Sequence, residues 1–217
     1  MHLNLSFPKI NLKSALYIIF TIIFLDQISK IYIKLNFPLT LYGDDAILDY
    51  GFFKLLFVEN KGMAWGTKLS DFIPFLNDEI SKLLLSLIRI VAIFFLGYWI
   101  KKSLREKTSD SFLLSLCLIF SGAVGNLIDS VFYGVIFSHS YGQVATFLPE
   151  DGYAPFFFGH VVDMLQFPIA SWIWPKWIPF IGGEPYTFFE YVFNLADSSI
   201  SLGIAIIIFF NRKFLTN

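Results

Sequence analysis

The sequence predicts a mainly α-helical membrane protein with four transmembrane helices, two long outer connections and segments that lie on the membrane surface. Three observations carry that reading. Four separate stretches each supply about 20 mostly apolar residues, the number a helix needs to cross a hydrocarbon core. The chain is 56% hydrophobic, 19% aromatic and only 15% charged, whereas a soluble domain is usually about 25% charged. Its lysines and arginines also alternate with acids from one connection to the next, as they do when successive loops face opposite sides of a bilayer. With 27 Phe in 217 residues, a water-soluble core would have to hide more aromatic surface than it can hold.

The first span covers residues 14–33 and follows Lys9 and Lys13. A cleavable signal peptide is the competing reading, but the length of the stretch, Asp26 and Lys30 within it, and the lack of a small-x-small cleavage site favour a retained span. The first outer connection, residues 35–80, carries Asp44, Asp45, Asp49, Glu59, Asp71, Asp78 and Glu79. Inside it the aromatic and aliphatic run Phe52–Val58, ending at Asn60-Lys61-Gly62, reads as a short strand. The second span, 83–100, leads into a tight loop with Lys101, Lys102, Arg105 and Lys107. The third span, 112–132, is followed by the second outer connection, 133–187, with Glu150, Asp151 and Glu184. Residues 168–180 hold Trp172, Trp174 and Trp177 among three prolines. Trp prefers the membrane–water interface and Pro breaks regular helix, so this stretch reads as lying on the outer surface. The fourth span, 188–210, precedes Arg212 and Lys213. Both termini and the basic loop are expected in the cytoplasm, within one domain spanning 1–217. A net charge of −1 offers nothing to nucleic acid, and the single Cys117 lies in an apolar run as a packing residue.

On that topology the polar residues of three spans converge at one depth. Asp26 and Lys30 are four apart, and Asn126 and Asp129 three apart, each pair on one helix face near an outer end. Asn194 and Asp197 repeat the spacing at the outer start of the fourth span, and Asp163 lies just before it. Arg89 falls in the outer half of the second span. Gly122, Ala123 and Gly125 thin one face of the third span, which suits a close helix contact or the approach of a substrate to Asn126. A carboxylate in a membrane segment is costly and marks a functional site by default. Two nearby carboxylates resist joint ionisation and tend to share one proton. One then deprotonates a water while the other protonates a carbonyl oxygen or leaving amine. Asp163 and Asp197 are the candidates for that pair. Asn194, one turn before Asp197, is placed to orient it, and Asn126 and Asp129 to hold the neighbouring backbone or Asp163.

Other readings compete. The polar residues can serve as interhelical glue in a non-catalytic scaffold, or as the path of a transporter, although a path would spread polar residues through the full depth. A metal site built on His160 and Asp163 with His139, Asp129 or Asp197 lacks a recognised ligand spacing.

Five segments resemble, in order, the motif blocks of the bacterial lipoprotein signal peptidases (signal peptidase II). They are Asp26-Gln27-Ile28-Ser29-Lys30, Asn60 to Gly66, Gly122 to Asp129, Val161-Val162-Asp163 and Phe193 to Ser198. The resemblance runs from the first span to the fourth. It implies a four-helix aspartyl protease of the bacterial cytoplasmic membrane, with a small extracytoplasmic β-rich cradle and a mobile surface helix. The implied reaction frees the signal peptide of a prolipoprotein just before a diacylglyceryl-bearing cysteine, without a metal or other cofactor. By motif, Asp163 and Asp197 are then the catalytic dyad, and Asn60 and Gly62 contact substrate. Asn126, Asp129 and Asn194 support the site, and Asp26 with Lys30 stabilises the outer end of the first helix. The family is the target of the cyclic peptide globomycin. The chain departs from the pattern where Ser130 follows Asp129 in place of the usual Arg, with Arg89 as a candidate substitute. The stretch 137–159 and the Trp-rich stretch are also longer than usual.

Overall fold

A computed structural model describes residues 8–40, 45–60 and 77–210. Gly62 therefore lies outside the described residues, as do the rest of its motif block after Asn60 and the chain beyond Phe210.

Helix α1 (Leu12–Asn36) starts with a reciprocal cap, in which Ser14 N donates to Asn11 Oδ1 and Asn11 N to Ser14 Oγ. Its buried residues are Ala15 and then Asp26, Lys30, Ile33 and Lys34, so the inward face turns polar towards its C-terminal end. The opposite face, with Leu16, Tyr17, Phe20 and Phe24, is exposed, as a lipid-facing surface requires. Helix α2 (Asp78–Glu106) is capped by Asn77 and stops at Lys107, whose φ of 51° ends the helical run. Helix α3 (Asp110–Ile128) is capped by Ser109 and continues through a π-helical turn (Asp129–Tyr133) into a last α turn (Gly134–Ile136). Helix α4 (Leu195–Phe210) completes the bundle.

Helix α3 is the hub, packed against α1, α2 and α4. Its small residues permit this. A Cβ on Gly122 would stand 2.2 Å from the carbonyl oxygen of Ala196, and one on Gly125 would stand 2.6 Å from Asp26 Oδ2. The thin face thus receives the α4 backbone at one glycine and a carboxylate at the other.

Above one end of the bundle sits an antiparallel sheet in the order β1 (Leu48–Asp49), β2 (Lys54–Asn60), β3 (Val161–Gln166), β6 (Val192–Phe193). Register pairs Val58 with Asp163 and Leu55 with Leu165, so β2 spends one more residue than β3 between them. This bulge lets the consecutive Leu56 and Phe57 both be fully buried. Phe57, Val162 and Met164 pack on Ile33 of α1 and on Tyr133 and Phe137 beyond α3, which fastens sheet to bundle. Strands β4 (Ala170–Ile173) and β5 (Pro185–Phe188) form a separate hairpin. Its Trp172 and Trp174 rings lie 4.9 and 5.7 Å from Tyr186, and Trp177 in its loop is exposed.

The mainly helical fold with a small sheet agrees with the sequence reading, with three adjustments. Residues 12–36, 78–106 and 110–136 form helices long and apolar enough to cross a membrane. The fourth is described over 16 residues only, from Leu195. The expected start at Phe188 is too early, because Phe188 pairs with Ala170 and Val192–Phe193 pairs with β3. The surface-lying Trp stretch is a hairpin whose two strands satisfy each other's backbone groups, an arrangement the three prolines allow. Among the described residues of the outer connections the elements are strands, apart from the ends of the spanning helices and the last α turn Gly134–Ile136; the surface helix that the resemblance implies is not among them.

Candidate active site

Strand β3 carries Asp163 at the centre of the sheet, Asn194 links β6 to α4, and Asp197 stands in the first turn of α4. Asn194 is fully buried and binds both acids. Its Nδ2 donates to Asp163 Oδ1 at 2.7 Å and lies 3.2 Å from the Val162 carbonyl. Its Oδ1 accepts from Asp197 N at 2.8 Å, while its own N–H points to Asp197 Oδ2 at 3.4 Å. This is a reciprocal cap on α4, so one asparagine starts the helix and ties its first-turn acid to the sheet. Asn126 of α3 donates from Nδ2 to Asp197 Oδ1 at 2.8 Å. Asn60, at the end of β2, donates to Asp163 Oδ2 at 3.2 Å.

Asp163 is only 4% exposed. Burial, and then the charge of Asp197, push its carboxyl up from 3.8 to about 7, against the hydrogen bonds from Asn60 and Asn194 and the charge of Lys30. One acid of this pair is therefore poised near neutrality, as proton transfer at physiological pH requires.

A second layer lies beneath. Lys30 Nζ bonds Asp26 Oδ2 at 2.8 Å, Asp129 Oδ2 at 2.8 Å and Asn126 Oδ1 at 3.0 Å, so each of its three N–H groups has an acceptor. Asp129 is thus ion-paired, which its surroundings in sequence did not suggest. Its Oδ2 also accepts from Val162 N at 3.2 Å, holding the backbone next to Asp163. Asp26 Oδ1 accepts from Ala196 N at 2.9 Å and so secures the first turn of α4.

Two participants, Gln27 and Lys34, escaped the sequence reading. Gln27 donates to Asp26, to Asp129 and to the Gly125 carbonyl, and accepts from Tyr133. It sits in the first motif block, but being uncharged it gave no depth signal. Lys34, fully buried, pairs with Glu59, bonds Ser140 Oγ at 2.9 Å and faces the ring of Tyr153 at 4.8 Å. His160 joins this cluster through Glu59 Oε2 at 2.9 Å. Burial raises the Glu59 carboxyl, but the bond to His160 and the charge of Lys34 outweigh it and hold it at about 2. Arg89, which the sequence reading named, donates from Nη1 to Ser130 Oγ at 2.7 Å and brings α2 to the edge of the site.

The residues named for a metal site are not gathered. His160 is engaged with Glu59, and His139 is exposed beside Gln143. Among the described residues no three His, Cys, Asp or Glu side chains form a ligand group.

Apolar helices that gather buried carboxylates, carboxamides and one lysine under a small sheet define a polytopic membrane protein with a polar site at one end of its bundle. The comparisons narrow that class. The family model described as signal peptidase (SPase) II matches residues 18–212. A lipoprotein signal peptidase of Porphyromonas gingivalis is 42% identical over 203 residues, covering 93% of this chain and 83% of the relative. One from Amoebophilus asiaticus is 34% identical over 189 residues, covering 87% and 73%. A bacterial membrane enzyme solved in meso at 2.3 Å resolution shares the fold at a TM-score of 0.59 and 22% identity, over 98% of this chain and 96% of that one. The chain belongs to the lipoprotein signal peptidase family, signal peptidase II.

Proposed function

We propose that the protein is an aspartic endopeptidase that removes the signal peptide from diacylglyceryl-modified prolipoproteins. Asp163 and Asp197 share one proton, and the ionised member takes a proton from water. The water oxygen bonds to the carbonyl carbon before the lipidated cysteine, and the protonated member donates to the carbonyl oxygen. When the carbon–nitrogen bond breaks, the proton taken from water passes to the leaving amine, and one hydroxyl of the tetrahedral carbon returns its proton to the other acid as the carboxyl group forms. The observation that carries this reading is the Asn194 bridge, whose one buried side chain joins the Asp163 carboxylate to the backbone amide of Asp197. Asn126 and Asn60 each orient one acid, and Asp129, Asp26 and Lys30 hold the backbone on either side. Asn60, with Gly62 beside it in sequence, contacts the bound peptide.

The reading places four spans in the bacterial cytoplasmic membrane, with both termini in the cytoplasm, the site near the outer face and membrane lipids around the bundle. It assigns no metal or other cofactor, and globomycin as an inhibitor. The test is cleavage of a diacylglyceryl prolipoprotein by the purified protein in detergent, with and without a chelator, beside Asp163→Asn and Asp197→Asn. Chelator-resistant cleavage lost in both variants is expected. Cleavage lost to chelator, or normal turnover by either variant, overturns the assignment.

A further inference from the structure

Beside the candidate dyad lies a small open pocket, with room for about one water molecule, between α2 and the sheet. Asn60, the residue that bonds Asp163, lines it from the sheet side together with Val161. Lys82, Ser86 and Arg89 line it from α2, and Ser130 from the turn after α3. Lys82 and Arg89 are seven residues apart and so share one face of α2, two turns apart along it. The neighbouring residues of α2, Leu83, Leu84, Leu87, Ile88 and Ile90, are apolar and exposed. A guanidinium in such a helix is costly unless something uses it.

Among the described residues Arg89 forms no ion pair. Among the described residues its hydrogen bond goes to the neutral Ser130 Oγ, which in turn donates to the Asn126 carbonyl at 2.9 Å. A guanidinium has five N–H donors, and this contact takes one. Its charge is also felt by Asp197, Asp129 and Asp163, so it stands within electrostatic reach of the pair without bonding either acid. A fork of donors with four N–H groups left over, fixed at one corner and lining a pocket next to the candidate dyad, suits an incoming acceptor oxygen.

We propose that Arg89 is a substrate-positioning residue, donating across this cavity to a carbonyl oxygen of the bound prolipoprotein, with Ser130 fixing its guanidinium. This rests on the peptidase reading. Two carbonyl sources share the chemistry, the peptide backbone beside the scissile bond and the glyceryl esters on the cysteine. A hydrogen bond to a charged donor contributes about 1.5–3 kcal/mol, so Arg89→Ala raises KM roughly ten- to hundredfold, with kcat little changed. Arg89→Lys recovers part of the loss, because the charge returns without the fork. Ser130→Ala shifts KM in the same direction by less.

The experiment measures KM and kcat of wild type and these variants on a diacylglyceryl prolipoprotein. It also measures the Kd of the same substrate for Asp163→Asn with and without Arg89→Ala, which reports binding even where turnover is lost. A weaker Kd in the double variant is expected. A KM and Kd untouched by Arg89→Ala, in a preparation whose wild type cleaves, overturns the proposal, as does a loss in kcat alone. Failure of wild type to cleave sinks the peptidase reading instead. A substrate with ether-linked in place of ester-linked chains separates the sources. If the Arg89→Ala penalty vanishes with it, the ester carbonyl is the acceptor; if the penalty persists, the backbone is.

Discussion

The titration of Asp163 makes a quantitative prediction about stability. Its carboxyl moves from 3.8 to about 7 on folding. The folded protein therefore binds this proton more tightly than the unfolded chain does. Across that interval the unfolded chain has released the proton while the folded protein still holds it. Stability contributed at this position thus falls as pH rises through the interval and levels off above it. Roughly three decades of proton affinity correspond to about 4 kcal/mol, or very roughly 8–16 °C in Tm for a chain of this size. Asp163→Asn lacks the titration while the rest of the protein still titrates. The assay is thermal unfolding of both proteins in detergent from pH 4 to 8, followed by tryptophan fluorescence and read as the difference between them. Wild type is expected to lose ground steadily to the variant as pH rises. Because the charge of Asp197 is the second cause of the shift, the decline should move to lower pH when both proteins also carry Asp197→Asn. A difference that stays flat, or that grows in favour of wild type as pH rises, would refute the buried, proton-sharing pair.

Two further predictions concern the layer below. Lys30→Met leaves the carboxylates of Asp26 and Asp129 buried without their cation and should cost about 3–5 kcal/mol, read as a fall in Tm that Asp129→Asn added to it partly restores. Asp129→Asn alone keeps one side-chain oxygen to accept from the Val162 amide and should retain measurable turnover, whereas a folded variant as inactive as Asp163→Asn would make Asp129 part of the chemistry.

The helices were legible because hydropathy over about 20 residues is a local signal. The convergence of Asp26, Lys30, Asn126, Asp129, Asn194 and Asp197 was legible for a related reason: helical spacing and a topology fix both face and depth. The start of α4 was not. Five of the six residues from Phe188 to Phe193 are apolar, and only the pairing of Phe188 with β4 and of Val192–Phe193 with β3, distant in sequence, sets those residues in strands. The β4–β5 hairpin was hidden likewise, since nothing within Ala170–Ile173 announces a partner at Pro185–Phe188. Asn60 was legible only through the motif, because its contact with Asp163 depends on strand register. The Arg89–Ser130 contact joins two helices at a point where neither residue's neighbours in sequence indicate it.

The Asn194 bridge also bears on when the protein can become active during its own synthesis. The asparagine that joins the two acids is also the cap of the last helix, and Asp26 of the first helix holds that helix's opening turn. The candidate dyad thus has no existence in a nascent chain that still lacks its last helix. Nor does it exist in one that has reached the bilayer with its helices apart. A site assembled from both ends of its chain is complete only once the first and last helices have met.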